Sequence, residues 1–181
     1  MAKGMRGVPA DYPERWKRWT KWFRGGGSAG RVRALRVADK ALVVVFVALY
    51  LLLAWAFVQA SPTFGIGFLA STAACFVAMG LLRRWLNWPR PYEAFDIKPL
   101  VRRKDGEGGK SFPSRHVFSA FLIATMLAIV LQSFAGMVPL LLAALLGCAR
   151  VLEGVHFPRD VAAGAALGVA AAFACMAVSV L

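Results

Sequence analysis

Three long stretches without a charged residue constrain the fold more than any other feature of this chain. No Asp, Glu, Lys or Arg occurs in residues 41–82, 117–149 or 161–181. An apolar run of about 20 residues is enough for one helix that crosses a bilayer. Hydrophobic residues make up 59% of the chain, which exceeds the share in ordinary soluble domains. The sequence therefore predicts an integral membrane protein.

The lengths of these runs predict an all-α, polytopic bundle of about five spanning helices. The first run is long enough for two spans joined by a turn at residues 61–65, and the turn-forming residues 132–136 divide the second run. A helix whose polar end lines a protein site can extend beyond its uncharged part. The predicted spans cover approximately residues 41–60, 66–82, 117–131, 137–149 and 161–181.

Residues 1–40 are predicted to form a separate basic segment, and residues 41–181 the transmembrane domain. Four aromatic residues recur in the first segment at helical spacing between basic ones: Trp16, Trp19, Trp22 and Phe23. This pattern is typical of a helix that lies among anionic lipid headgroups. A disordered basic tail is the alternative, since the Gly-rich residues 25–30 read as a flexible linker. Nucleic-acid binding is disfavoured, because membrane topology already explains basic residues beside a span.

The cysteines indicate neither a metal site nor a disulfide framework. Cys75, Cys148 and Cys175 all lie in apolar runs, where buried thiols behave as small hydrophobic groups. Their number is odd, no Cys-x-x-Cys is present and no histidine is adjacent to any of them.

The residues suited to catalysis lie between Arg83 and Asp160. Both histidines of the chain are here, and His156 precedes Asp160 by four positions. A turn at that spacing would let the carboxylate orient the imidazole and increase its nucleophilicity. His116 follows Ser114, which is placed to cap the third span, and the free amides at a helix start favour an anion.

Arginines near these residues have two interpretations. Arg83 and Arg90 are seven positions apart, so a continuing helix would place both guanidiniums on one face, where they would suit an oxyanion. Arg150 ends the fourth span. Each arginine could instead be an anchor at the membrane edge, which is common at the ends of spans.

Three motifs in this order resemble the signature of the type 2 phosphatidic acid phosphatase superfamily. They are Arg83, six residues and Arg90-Pro91; Pro113-Ser114-Arg115-His116; and Arg150, five residues, His156, three residues and Asp160. Two positions depart from the usual pattern. Arg83 stands where the family commonly has lysine, and Ala149 where it commonly has serine.

The resemblance implies a lipid phosphatase that needs no cofactor. His156 would attack phosphorus to form a phosphohistidine, Asp160 would orient it, and His116 would protonate the leaving group. The phosphate oxygens would be held by Arg83, Arg90, Ser114, Arg150 and a backbone amide near Arg115. No metal is expected, because the arginines supply the positive charge that a magnesium ion would otherwise bring.

A phosphate pocket at the membrane edge predicts a phosphate monoester or diphosphate on a lipid tail. Candidates are phosphatidic acid, phosphatidylglycerol phosphate and isoprenoid phosphates or diphosphates. A haloperoxidase holding vanadate in the same pocket is disfavoured, because those relatives are soluble. A non-catalytic lipid-phosphate-binding or membrane-organising protein with a decayed pocket is the other alternative, although both histidines are retained. The sequence makes no prediction about the oligomeric state.

Counting spans predicts on which side the site lies. Each span reverses the side, so all three motifs and the basic first segment fall on one face, while the turns at residues 61–65 and 132–136 carry no charge. The positive-inside rule makes the basic face cytosolic. We therefore expect a multi-pass protein of the bacterial plasma membrane with a cytosolic site, an orientation opposite to that of many superfamily members.

Overall fold

The computed structural model describes residues 8–95, 97–101 and 108–180, and these residues contain helices and no strand. Lys3, Arg6, residues 102–107 of the predicted polar loop and the predicted end of the fifth span at Leu181 lie outside the described residues. The helices are α1 Tyr12–Trp19, α2 Lys21–Arg24, α3 Ser28–Ala60, α4 Pro62–Leu86, α5 Pro91–Ala94, α6 Arg115–Leu131, a 3₁₀ turn Phe134–Gly136, α7 Met137–Leu152 and α8 Pro158–Val180.

Five of these helices form the predicted bundle. The helices α3, α4, α7 with its 3₁₀ turn, and α8 are long and apolar enough to cross a membrane. The fifth, α6, has 17 residues, which corresponds to about 26 Å at 1.5 Å per residue. Large apolar side chains such as Leu51, Trp55 and Val77 are exposed on the outer faces, where lipid would cover them. The chain is thus a multi-pass integral membrane protein.

The central helix of the bundle is α6, which packs against α3, α4, α7 and α8. Its closest approach is to α8, where a Cβ added at Gly164 would lie 2.7 Å from the carbonyl oxygen of Ser114. The Ser114 amide also donates to the Asp160 carbonyl at 2.9 Å. Contact this close requires a residue without a side chain, and it joins the beginning of α6 to the beginning of α8.

The helix ends differ from the predicted bounds at two places. Ser61 alone separates α3 from α4, so the first turn is tighter than the predicted residues 61–65. In addition, α3 begins at Ser28 and continues to Ala60, so the predicted boundary after residue 40 lies inside one helix. The Gly-rich linker is correspondingly shorter than predicted, because Ser28, Ala29 and Gly30 are helical.

The described part of the first segment, from residue 8 onward, packs against the rest of the protein. Residues 12–19 and 21–24 are helical in this structure. Tyr12 and Trp16 are buried in an apolar cluster with Phe157, whereas Trp22 is 63% exposed. The four aromatic residues predicted to face lipid therefore do not all do so, because Trp16 packs inside the protein. Contact of the remaining basic residues with anionic lipid stays a prediction.

Candidate active site

The predicted site residues lie at one end of the bundle, where α4 and α7 end and α6 and α8 begin. Hydrogen bonds join these helix ends. Arg90 Nη1 donates to the Val155 carbonyl at 3.1 Å, and the Arg83 guanidinium donates to the Pro113 carbonyl. The three motifs, which are far apart in the sequence, thus meet in one region.

His156 and Asp160 form a buried pair at the start of α8. Asp160 lies in the first turn of the helix, and its Oδ2 is 3.6 Å from His156 Nδ1. The same oxygen accepts hydrogen bonds from Ser111 Oγ at 2.5 Å and from the Phe157 amide at 3.0 Å. These two donors hold the carboxylate in place. Because Nδ1 faces the carboxylate, Nε2 is the nitrogen on the opposite side of the imidazole.

Burial lowers the pKa of the His156 imidazole to about 4, and the nearby Arg90 and Arg83 act in the same direction. The contact with Asp160 opposes this shift, because a carboxylate stabilises the charged imidazolium. Desolvation has the larger effect on this buried ring. His156 is consequently neutral at pH 7, which is the protonation state that a nucleophilic nitrogen requires.

Ser114 occupies the N-cap position of α6, as predicted, but its side chain does not cap the helix. The hydroxyl is fully buried and has no hydrogen bond to any described residue. A buried hydroxyl without a partner costs about 1–3 kcal/mol. A phosphate oxygen bound at the start of α6 would satisfy it.

The two arginines of the first motif reach the site by different routes. The prediction that a continuing helix would align them is wrong, because α4 ends at Leu86 and Asn87 adopts a left-handed conformation. Arg83 projects from the last turn of α4 to the carbonyls of Lys110 and Pro113. Arg90 is buried in extended backbone, and its Nε donates to the Gly109 carbonyl at 3.2 Å. Both side chains hold the loop that leads to Ser114.

Arg150 is buried between two carboxylates that are not among the predicted site residues. Its Nε lies 3.0 Å from Asp39 Oδ1 on α3, and its Nη1 lies 3.8 Å from Glu153 Oε2. All three side chains are at least nine-tenths buried. A guanidinium has five N–H donors, so Arg150 can keep this pairing and still bind a phosphate oxygen. Asp39 was detectable as an acid isolated in a basic segment, and Glu153 by its position three residues after Arg150.

Two cavities meet at His116. A polar cavity of about 560 Å³ is lined by His116, Arg150 and Glu153 and, from α3, by Arg36, Asp39 and Lys40. An apolar groove of about 410 Å³ is lined by Phe46, Val47 and Tyr50 of α3 and by Phe76, Ile123 and Leu146. His116 lines both spaces. Arg115 is the first residue of α6, and its side chain is exposed on the groove side. The part of Arg115 that lies at the start of α6 is therefore its backbone amide.

The described residues contain no group of three or more His, Cys, Asp or Glu side chains that could hold a metal ion. Arg83, Arg90 and Arg150 of the three motifs bring positive charge to the site, and Arg36 and Lys40 of α3 add positive charge at the polar cavity. Guanidinium groups bind phosphate oxygens with two parallel hydrogen bonds. The arrangement can therefore bind a phosphate group next to a neutral histidine.

The chain is similar in sequence to two characterised proteins. It is 40% identical over 82 residues to a bacitracin transport permease protein, BcrC, of Bacillus licheniformis, a match covering 45% of the chain and 40% of that protein. It is 34% identical over 104 residues to the decaprenylphosphoryl-5-phosphoribose phosphatase of Mycobacterium tuberculosis, covering 55% and 54%. The chain thus matches about half the length of these relatives.

Two solved structures have a similar fold. The LpxE crystal structure from Aquifex aeolicus has a TM-score of 0.65 at 23% identity, covering 91% of this chain and 93% of that one. A transmembrane PAP2-type phosphatidylglycerolphosphate phosphatase from Bacillus subtilis has a TM-score of 0.50 at 22% identity, covering 90% of both. The PAP2 superfamily profile matches residues 64–180, which contain all three motifs. The chain therefore belongs to the PAP2 superfamily.

Proposed function

We propose that this protein hydrolyses a phosphate monoester or diphosphate on a membrane lipid, through a phosphohistidine intermediate and without a metal ion. One observation carries the substrate class: the polar cavity and the apolar groove meet at His116. A phosphate in the cavity would lie beside Arg150, and an attached hydrocarbon chain would lie in the groove. A soluble phosphate ester would leave the groove without an occupant.

The reaction would proceed in two steps. In the first, the lone pair of His156 Nε2 forms a bond to phosphorus while the bond to the leaving oxygen breaks, and His116 gives that oxygen a proton. In the second, water attacks phosphorus, His116 accepts a proton from it, and the nitrogen–phosphorus bond breaks. Phosphate and neutral His156 result. Asp160 stabilises the positive charge that develops on the imidazole during attack.

The phosphate oxygens would be bound by the arginines and the start of α6. Arg83 and Arg90 lie near His156 and lower the pKa of its imidazole, so their positive charge is close to the reacting group. The Ser114 hydroxyl and the Arg115 amide add hydrogen-bond donors. Such donors accelerate phosphoryl transfer mainly through positioning and charge stabilisation.

Phosphate release from lipid phosphates in detergent micelles tests this activity. The panel contains phosphatidic acid, phosphatidylglycerol phosphate and isoprenoid mono- and diphosphates, with His156→Ala protein as the blank. We expect release from at least one lipid, unchanged by a chelator. Equal release by wild type and His156→Ala, or loss of activity with the chelator, would contradict the mechanism.

Filling the groove should impair the reaction of lipid substrates selectively. Val47 lines the groove, whereas Val45, on the same helix and similarly exposed, does not line it. Overpacking costs about 1–3 kcal/mol, so Val47→Trp should raise KM for a long-chain lipid phosphate about 5- to 140-fold. It should leave kcat/KM for a short-chain phosphate ester unchanged, and Val45→Trp should change neither. Equal losses on both substrates would show that the groove does not hold the tail.

The site is proposed to face the cytosol. The contact of α1 with the residues around His156 supports a common side for the basic segment and the site, and the positive-inside rule assigns that side to the cytosol. In a chain without native cysteines, an impermeant maleimide should label Trp22→Cys only after the cell membrane is opened. It should label Ser133→Cys, at the other end of the bundle, in intact cells. The reverse pattern would put the site outside the cytosol.

A further inference from the structure

The first helix, α1, lies outside the region that matches the family profile, which begins at residue 64. Nevertheless, α1 packs on the turn that carries His156. Trp16 is fully buried, and its Nε1 donates to the carbonyl of Val151, in the last turn of α7, at 3.1 Å. The helix is thus tied directly to the chain segment between Arg150 and His156.

Trp16 and Gly154 fit each other closely. Gly154 has a φ of +79°, and a Cβ added there would lie 2.9 Å from Trp16 Cζ2. A side chain at this position would be strained by the backbone angle and would also push the indole away. The turn before His156 is therefore shaped to receive this ring.

Tyr12 packs on Phe157, the residue directly after His156. Its ring centroid is 4.9 Å from that of Phe157 and 5.9 Å from that of Phe95. Phe157 is fully buried, and its amide donates to Asp160 Oδ2. Displacing Phe157 would consequently move one of the two hydrogen-bond donors that hold the catalytic carboxylate.

Further contacts extend this packing to the loop after α5. Arg24 Nη2 donates to the Lys98 carbonyl at 2.8 Å, and its guanidinium lies 4.5 Å from the centre of the Trp16 ring. The Leu100 amide in turn donates to the Glu153 carbonyl at 3.0 Å. The contacts join α1, the loop at residues 97–101 and the turn before His156.

A helix that served only as a lipid anchor would expose its aromatic side chains to the membrane. Here Tyr12 and Trp16 are buried against the His156 turn, whereas Trp19, at the end of α1, and Trp22, on α2, are exposed. We propose that α1 is a positioning element for the reaction: Tyr12 and Trp16 hold residues 151–157 so that His156 stays against Asp160 and away from water. This inference rests on the proposed phosphatase function.

The test compares Tyr12→Ala with Tyr12→Phe, which keeps the ring, and with Trp22→Ala as a matched aromatic deletion. We expect Tyr12→Ala to lower kcat about 10- to 100-fold, as small misplacements of catalytic groups do, with KM changed less than twofold. Tyr12→Phe should restore kcat to within about threefold, and Trp22→Ala should have the wild-type kcat. If Tyr12→Ala is produced poorly, Tyr12→Leu replaces it with the same expected direction.

The pH dependence separates positioning from a simple loss of folded protein. Without the Tyr12 ring, water would reach His156, and the pKa of its imidazole would rise from about 4 toward its ordinary 6.5. The acidic limb of kcat/KM should therefore move to higher pH, since the nucleophile must be neutral. The charged groups facing His156, namely Arg83, Arg90 and Asp160, are unchanged in the variant. A loss of folded protein would lower the rate without moving this limb.

Hydrogen exchange provides a readout that does not require activity. Tyr12→Ala should exchange faster than wild type in peptides from residues 97–101 and 151–157, and equally in α6. If wild type releases phosphate and Tyr12→Ala has an unchanged kcat, or if only KM changes, the positioning role is refuted. If wild type releases no phosphate from any lipid, the proposed function fails, while the exchange measurement still tests whether α1 holds the turn.

Discussion

Replacing His156 by alanine is expected to lower phosphate release from the lipid substrate by at least about 10³-fold. The imidazole is buried, neutral at pH 7 and 3.6 Å from Asp160 through Nδ1, which leaves Nε2 to attack phosphorus. In a phosphohistidine mechanism, alanine at this position removes the atom that forms the covalent bond. Binding of the phosphate should persist, because the arginines remain, and calorimetric titration of the variant with inorganic phosphate measures this.

Trapping the intermediate distinguishes a nucleophile from a general base. The wild-type enzyme is quenched in base during turnover of an aryl phosphate that carries radioactive phosphorus. The protein should then carry labelled phosphate that acid removes, because the nitrogen–phosphorus bond of a phosphohistidine is labile in acid. His156→Ala should carry none. His116→Ala should still become labelled, since an activated aryl leaving group needs no proton from the general acid. Label on the His156→Ala protein would assign the nucleophile to another residue.

Asp160→Asn is expected to lower kcat about 10²- to 10⁴-fold with little change in KM, the range observed when a carboxylate that orients a catalytic histidine is neutralised. Asp160 is fully buried, and its Oδ2 accepts from Ser111 Oγ and the Phe157 amide while it faces His156 Nδ1. Asparagine keeps the shape but removes the charge that stabilises the imidazolium during attack. Its amide nitrogen is also a donor where the site requires an acceptor.

Ser111→Ala is the matched control for this variant. It removes one hydrogen bond to the carboxylate and preserves the charge, so about a tenfold loss of kcat or less is expected, in line with the roughly 1 kcal/mol of a single hydrogen bond. Steady-state phosphate release from the same lipid, with folding checked by thermal unfolding in detergent, measures both variants. A fully folded Asp160→Asn protein within tenfold of wild type would rule out the orienting role.

The features that the sequence predicted depend on short-range rules. The number of spans follows from run length, because an uncharged run long enough to cross the hydrocarbon layer has few alternatives to a helix. His156 and Asp160 are four positions apart, so a single turn suffices to bring them together. Ser114 is predicted at the start of α6 because it is one of the polar residues that directly precede the third uncharged span. These predictions agree with the structure.

Other predictions required knowledge of where a helix stops. The alignment of Arg83 and Arg90 assumed that α4 continues, but it ends at Leu86, two residues before Trp88-Pro89. The residue before a proline disfavours the helical conformation, so Pro89 and Pro91, which already made the helical register between the two arginines uncertain, give the ending a local cause. Likewise, a glycine-rich stretch predicts flexibility, yet residues 28–30 form the first turn of the long helix α3.

By itself, the amino-acid sequence determined the membrane class, the approximate spans, the three motifs and their presence at one end of the bundle. Only the tertiary structure decided which side chains meet there. Ser111 reaches Asp160 across 49 positions, Trp16 reaches Val151 across 135, and Asp39 pairs with Arg150 from a different helix. Hydrophobic runs specify that helices form and cross the bilayer. They do not specify which faces of those helices turn toward each other, because that depends on close packing between side chains distant in sequence.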